Sequence, residues 1–311
     1  MKMTCSCKRC CIFSILAFSL LILIFGLVTW LVLPTLISKL VRKNLIISTK
    51  SSIYDMWVKP TVPIYFTFEF FIVTNRDDIF KGEKPILKKT GPYVYIKERI
   101  KKNVVFNSNE TVSFNYQNFY YFQKNLSIGP ETDMYVFVDF VTAASLSVHY
   151  YANETGKMDV FTIFDYPFNT QFFMNMSVNQ YIFGYQHPAM MKLNKMYRMH
   201  ETTEFGVLAD DTLRNGSFSK TFEVWTGSDN VHPIGEFASW DYKNYLTYWN
   251  TKESNMINGT DGSSWSPGIK RDDILQLFSP ELCRSVSLAY ENDSSVLGIS
   301  TFKFVFFIQR L

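Results

Sequence analysis

The chain has 311 residues, enough for one large domain or two small ones with sizeable cores, and its net charge of +3 leaves no basic stripe of the kind that nucleic acids need. Aromatics make up 17% of it, with 29 Phe and 18 Tyr. That abundance, beside few strong helix signals, leans toward β-structure.

The first eleven residues carry four cysteines, Cys5, Cys7, Cys10 and Cys11, beside an apolar run. Cysteines in that position are typical substrates for S-palmitoylation. A zinc site and unmodified thiols are the alternatives, and the C-x-C-x-x-C-C spacing lacks the paired C-x-x-C of common zinc sites. Ile12 to Leu33 then runs for 22 residues without a charge. As a helix it would span about 33 Å, against a hydrocarbon core of about 30 Å. Trp30 suits one interface, Pro34 is expected to end the regular span, and Lys39, Arg42 and Lys43 mark the return to water. The run is too long for a signal peptide and has no small-residue cleavage site, so it reads as an uncleaved anchor. Lys2, Lys8 and Arg9 on the other side leave the positive-inside rule nearly undecided.

Lys39 to Met56 is compatible with a helical stalk. From Pro63 the period changes. Ile64, Phe66, Phe68 and Phe70 alternate with Tyr65, Thr67 and Glu69, as in a half-buried strand. Further strands are predicted at Tyr93–Lys97, Val104–Asn107, Thr111–Tyr116 and Phe119–Phe122. Turn signals separate them at Lys81–Gly82, Gly91–Pro92, Asn107–Asn109 and Gly129–Pro130. Asp133–Tyr151 and Met174–Phe183 read as helices within a stretch, 133–185, where alternation is lost. Strands return at Phe222–Thr226 and Tyr245–Trp249, Asn258 to Gly262 is a turn by composition, and a short helix is predicted at Asp272–Phe278.

N-x-[ST] sites occur at Asn109, Asn125, Asn153, Asn175, Asn215, Asn258 and Asn292, all beyond the apolar run. Together they place the domain on the non-cytosolic side, with the cysteine tail cytosolic and reduced. Catalytic signatures are missing: no H-E-x-x-H, no G-x-S-x-G, no Walker A loop and no G-x-G-x-x-G. His149, His187, His200 and His232 are scattered, and the acid pairs Asp77–Asp78, Asp210–Asp211 and Asp272–Asp273 read as solvated loops or helix first turns. No enzymatic activity and no cofactor are expected.

Several blocks, in order, are similar to one family. They are W-V-K-P-T-V-P-I-Y-F at Trp57–Phe66, F-F-I-V-T-N at Phe70–Asn75, G-E-K-P at Gly82–Pro85 and G-P-Y-V-Y at Gly91–Tyr95. F-G-Y-Q-H-P at Phe183–Pro188, W-T-G-S-D-N at Trp225–Asn230, N-M-I-N-G-T-D-G at Asn255–Gly262 and L-C-R-S-V at Leu282–Val286 follow. The chain thus resembles the class B scavenger receptors, among them fatty-acid translocase, the high-density lipoprotein receptor, a lysosomal integral membrane protein and insect sensory neuron membrane proteins. The resemblance implies an α+β fold: a transmembrane helix at each end, and a glycosylated ectodomain with an antiparallel β-barrel-like core and an apical helical bundle, here at about 133–185. It implies a tunnel that passes lipid toward the membrane, and lipids, fatty acids, sterols or lipoproteins as partners. Phe161, Phe164, Phe172, Phe173 and Tyr181 are the ligand-contact residues expected at the apex. Self-association into a homo-oligomer is a further expectation, and nucleic acid is not a partner.

The pattern departs from the family in four places. It stops after about Val305, so the last third of a typical member, with the second transmembrane helix, is expected to be missing. Uncovered strand edges would then make residues 34–311 alone fold poorly or aggregate. Cys283 resembles a disulfide half whose partner lies in that part. Ser254 stands where the family has Cys, and Met158–Met191 contains no Lys or Arg for anionic ligands. The expected organisation is a tail at 1–11, a transmembrane helix at 12–33 and a luminal or extracellular domain at 34–311. The expected function is a plasma-membrane receptor for lipids or lipoproteins. A lysosomal-type trafficking receptor for a hydrolase and a type II Golgi glycoenzyme are the alternatives, and the latter lacks the D-x-D motif common in such transferases.

Overall fold

The computed structural model describes residues 5–144, 172–197, 204–209, 218–229 and 231–307. The chain divides into two compact units. One holds residues up to Trp57, Phe106–Val112 and everything from Glu223 on; the other holds Val58–Val105 and Ser113–Phe222.

Helix α1, Cys5–Leu45, is the apolar run with extensions at both ends. At 41 residues it is about 61 Å long, roughly twice the hydrocarbon core. It is apolar all round and uncovered: Phe25 and Trp30 are 73% and 74% exposed. A soluble helix would bury one face; this one is built for lipid. Pro34 lies inside α1 and does not end it. Proline removes one amide, and in a membrane breaking the helix would cost more than losing one bond. Ser38 Oγ donates to the Pro34 carbonyl at 2.8 Å. The predicted stalk is helical only to Leu45, then turns, then forms α2, Tyr54–Val58.

In the first unit, the Ile47 amide donates to the Thr226 carbonyl at 3.1 Å, which ties the end of α1 to the domain. Phe106–Val112 forms a turn whose polar groups converge on Glu223. Strand β9, Phe237–Trp240, and strands β10, Leu275–Ser279, β11, Arg284–Val296, and β12, Ile299–Phe306, complete it. The last three form an antiparallel sheet in that order. Phe278 packs edge-on against Phe237 and Trp240, each at 5.5 Å.

In the second unit, β1, Ile64–Val73, pairs antiparallel with β2, Leu87–Phe106. Strand β3, Thr111–Phe122, lies beside β2, and the first residues of β8, Phe218–Trp225, lie beside β3. Helix α3, Arg76–Ile79, connects β1 and β2. Against the sheet pack β4, Met134–Val138, paired with β5, Phe173–Ser177, and then α4, Val178–Phe183. Strand β6, Tyr185–Gln186, pairs with β7, Glu204–Phe205, and α5 spans Pro188–Tyr197. The combination of an apolar helix, antiparallel sheets and short helices is α+β.

Several expectations need correction. Gly91–Pro92 is not a turn between strands; it lies inside β2, where the register with β1 shifts between Phe68 and Phe70. Gly91 has φ +118°, and a Cβ there would meet the Phe68 carbonyl oxygen at 2.7 Å, so the site demands glycine. The four predicted strands between Tyr93 and Phe122 are therefore two long ones. Met134–Val138 is a strand, not part of a helix; helix begins only at 140 and continues to the last described residue, 144. Met174–Phe183 splits at Ser177, whose hydroxyl accepts from the Gln180 amide while the Gln180 side chain accepts from the Ser177 amide. That capping box starts α4. Tyr245–Trp249 forms a single bridge, Tyr245 to Met256, rather than a strand. Leu275–Ser279 is strand β10, so the helix predicted at Asp272–Phe278 is wrong; pairing with β11 overrides a weak local signal.

Candidate functional site

The strands of the second unit turn one face inward, and aromatic side chains fill it. Side chains alternate across a strand, so Tyr93, Tyr95, Lys97, Arg99 and Lys101 share one face of β2. Phe66, Phe68 and Phe70 come from β1, and Phe114, Tyr116, Asn118 and Tyr120 from β3. The rings meet edge to face: Phe66 with Tyr120 at 5.9 Å, Phe68 with Tyr95 at 6.0 Å and Tyr116 with Phe222 at 4.6 Å. Phe183 of α4 closes on Tyr95 and Tyr120, at 5.1 and 5.3 Å. Each such pair adds about 0.5–1.5 kcal/mol beyond area burial.

Three cations stand among these rings. Lys97 Nζ lies 4.7 Å from the Phe66 centroid and 5.3 Å from that of Tyr120. Arg99 Cζ lies 4.4 Å over Tyr116, and Lys101 Nζ is 5.5 Å from both Phe114 and Tyr116. Lys97 and Lys101 are each only 2% exposed. Asn118, also buried, holds an Oδ1 with no hydrogen-bond partner among the described residues. Glu98 belongs to the opposite face of β2 and pairs with Lys59. Sequence reading missed the cations, because K-E-R-I-K-K resembles a solvated strand end. The period of two, carried on from Tyr93 and Tyr95, was the signal that places them inside.

A second buried polar node sits near β6. Asp139 is fully buried and caps the helix at 140, accepting from the Thr142 amide at 2.8 Å. It also accepts from Tyr185 Oη and lies 3.1 Å from His187 Nε2. The Met190 amide lies 3.4 Å from His187 Nδ1, which makes Nδ1 the acceptor and Nε2–H the donor to Asp139. Burial alone would raise the Asp139 carboxyl; hydrogen bonds from His187, Thr142 and Tyr185 outweigh it and hold the pKa at about 2. Burial, then the bond to Asp139, pushes the Tyr185 hydroxyl up.

Of the expected ligand contacts, Phe161 and Phe164 lie outside the described residues. Phe172 is half-buried and packs edge-on against Phe173 at 4.9 Å. Phe173 is a buried core residue of β5 that also meets Phe80 at 5.9 Å. Tyr181, on α4, is sandwiched by Phe137 at 3.8 Å and Phe140 at 4.8 Å. Among the predicted glycosylation sites, Asn109, Asn125, Asn175 and Asn292 are exposed and Asn258 is half-buried; Asn153 and Asn215 lie outside the described residues. Cys5, Cys7, Cys10 and Cys11 occupy the first turns of α1. Cys283, at φ +48° between β10 and β11, donates its thiol to the Pro280 carbonyl at 3.3 Å. Among the described residues no group of three His, Cys, Asp or Glu is placed to hold a metal ion.

The CD36 family model matches residues 17–309. Over 289 residues the chain is 35% identical to scavenger receptor class B member 1 of Cricetulus griseus, covering 92% of this chain and 56% of that protein. It is 34% identical over 290 residues to the Bos taurus protein of the same name, with the same coverage. Lysosome membrane protein 2 of Mus musculus is 30% identical over 300 residues, covering 95% of this chain and 61% of that protein. The chain thus spans little more than half the length of these relatives. A match over nearly its whole length, carried on an apolar anchor helix and an aromatic antiparallel sheet, makes the chain a member of the CD36 family.

Proposed function

We propose that this chain is a membrane scavenger receptor that binds lipids or lipoproteins and passes lipid through an ectodomain tunnel toward the membrane. The domain beyond α1 faces away from the cytosol, at the plasma membrane, and the four N-terminal cysteines are palmitoylated. The observation that carries the reading is the inner face of the second unit, where aromatic rings and the cations Lys97, Arg99 and Lys101 share one surface. Rings suit acyl chains and sterols, and the cations suit a carboxylate or phosphate head. The expectation that anionic ligands lack basic partners rested on the apical stretch alone; β2 supplies them instead. The names of the relatives support a receptor rather than an enzyme.

Photocrosslinking tests this. The full chain, in membranes of cells that lack it, is exposed to a photoreactive fatty acid and to a photoreactive sterol, and the labelled peptides are mapped. Label should fall on β1, β2 and β3. Lys97→Met with Lys101→Met should cut fatty-acid label by at least about tenfold, the equivalent of about 1.4 kcal/mol, and leave sterol label in place. Label confined to α1, or fatty-acid label indifferent to both substitutions, would overturn the reading. The likeness to lysosome membrane protein 2 supports a second reading, a lysosomal trafficking receptor for a hydrolase. Steady-state residence in lysosomes with no lipid label would favour it.

A further inference from the structure

The first unit contains a cavity of about 490 Å³ unrelated to the aromatic sheet face. Trp265, Ile274, Ser266, Glu236, Asp273 and Gln276 line it, and so does Asn258, the acceptor of the N-G-T site. The backbone around Asn258 is fixed from both sides. Its amide donates to Ser285 Oγ at 2.8 Å, and the Ser285 hydroxyl is 3.1 Å from its carbonyl. Gly259 follows at φ +82°, where a Cβ would lie 1.7 Å from the Gln276 carbonyl oxygen. The Thr260 amide donates to that same carbonyl at 3.1 Å. Among the described residues, none hydrogen-bonds the Asn258 side chain, whereas the Asn109 amide is engaged by Thr111 and Glu223.

We propose that this cavity is the seat of the protein's own glycan: the core N-acetylglucosamine units attached to Asn258 fold back onto Trp265 instead of extending into solvent. The volume falls in the range that holds a ligand of a few rings, about 300–1,000 Å³, and a disaccharide core is of that size. The chemistry matches. One face of a pyranose presents a cluster of C–H bonds that packs on an indole. Its hydroxyl and acetamido groups need acceptors and donors, which Glu236, Asp273, Gln276 and Ser266 supply. Burial pushes the Glu236 carboxyl up, so hydroxyl donors at that group would relieve a desolvated acid. The Asp273 carboxylate accepts from the Lys270 amide at 2.7 Å, and among the described residues no group of three His, Cys, Asp or Glu is placed to hold a metal ion. Attachment before the domain closes lets the sugar fold in with the chain. Tethering removes most of the association cost that a free saccharide would pay.

The test uses the full chain expressed in mammalian cells, kept in native membranes, with peptide-N-glycosidase release followed at each site by glycopeptide mass spectrometry. Release at Asn258 should be at least about tenfold slower than at exposed Asn125 and Asn292, and Trp265→Ala should bring it level with them. Trp265→Leu, which keeps apolar bulk without the flat ring, should do the same, and stands in if the alanine variant fails to fold. An unoccupied Asn258, release as fast as at Asn125, or protection untouched by loss of the indole overturns the proposal. Excess free chitobiose that slows release at Asn258 no further is expected; protection gained only on adding it would mean a site for free saccharide, and would overturn the tethered seat. None of these results bears on lipid binding, so the two readings fail separately.

Discussion

Asp139 is a fully buried carboxylate with three hydrogen-bond partners, and its loss can be sized. Asp139→Ala removes the cap of the helix at 140, worth about 1 kcal/mol. It also strands two buried donors, Tyr185 Oη and His187 Nε2–H, at about 1–3 kcal/mol each. The expected cost is about 3–7 kcal/mol, a large share of a domain stability of about 5–15 kcal/mol. At about 2–4 °C per kcal/mol, the full chain in detergent should melt at least about 6 °C lower. Tyr185→Phe, which loses only the hydroxyl, should cost about 1–2 kcal/mol and serves if the alanine variant does not fold. Adding His187→Ala to Asp139→Ala should cost less than the two singles predict, because the orphaned imidazole is then gone. A shift under about 2 °C for Asp139→Ala, or strict additivity with His187→Ala, would refute the argument. The pH dependence follows in sign. The Asp139 carboxyl falls from 3.8 to about 2 on folding, so it stabilises the fold by about 2 kcal/mol above pH 3.8, and this is lost as pH drops toward 2. Melting temperatures at pH 7 and pH 5 should therefore not differ through this group.

Other outcomes follow from single contacts. Phe173→Ala should destabilise the chain by about 3–5 kcal/mol in the same melt, whereas Phe71→Ala, at a position 67% exposed, should stay within about 0.5 kcal/mol. Gly259→Ala should prevent folding or cost well over about 1 kcal/mol, since its Cβ would overlap the Gln276 carbonyl; Gly268→Ala, with φ +90° but nothing within 4 Å, should cost only about 1 kcal/mol. Enzymatic removal of N-glycans should lower the apparent mass, and Asn125→Gln and Asn292→Gln should each remove one step of it; no shift at all would reverse the membrane orientation proposed here. Asp229 is held at about 2 by His232, whose ring stacks on Trp225 at 3.6 Å. Asp229→Asn, which removes the carboxylate beside that ring, should change tryptophan fluorescence at pH 7, and an unchanged spectrum would mean that Asp229 does not hold the stack.

The elements legible from sequence were those whose signal is local. The 22-residue apolar run needs no partner to announce itself, and β1 shows its alternation in plain view. The misread elements were those decided by distant residues. Met134–Val138 is apolar enough for either state, and pairing with Phe173–Ser177 makes it a strand. Leu275–Ser279 is likewise a strand because Arg284–Leu288 lies beside it. Pro34 and Gly91–Pro92 are breakers by composition, yet neither ends its element. The first is overruled by the cost of an open backbone in lipid, the second by a bulge that lets β2 continue past β1.

The aromatic abundance is legible in the sequence, but which rings share a face is not. The residues singled out at 172–181 pack against Phe80, Phe137 and Phe140, while the inward row on β2 reads in sequence as ordinary strand. The reason is energetic. Burying Lys97 and Lys101 costs several kcal/mol each in desolvation, so a reader of sequence assigns such residues to solvent by default. Ring faces return about 0.5–2 kcal/mol per cation. Buried Lys97 and Lys101, set beside the rings of Phe66, Tyr120, Phe114 and Tyr116, make the β1–β3 face the surface to probe with an anionic lipid.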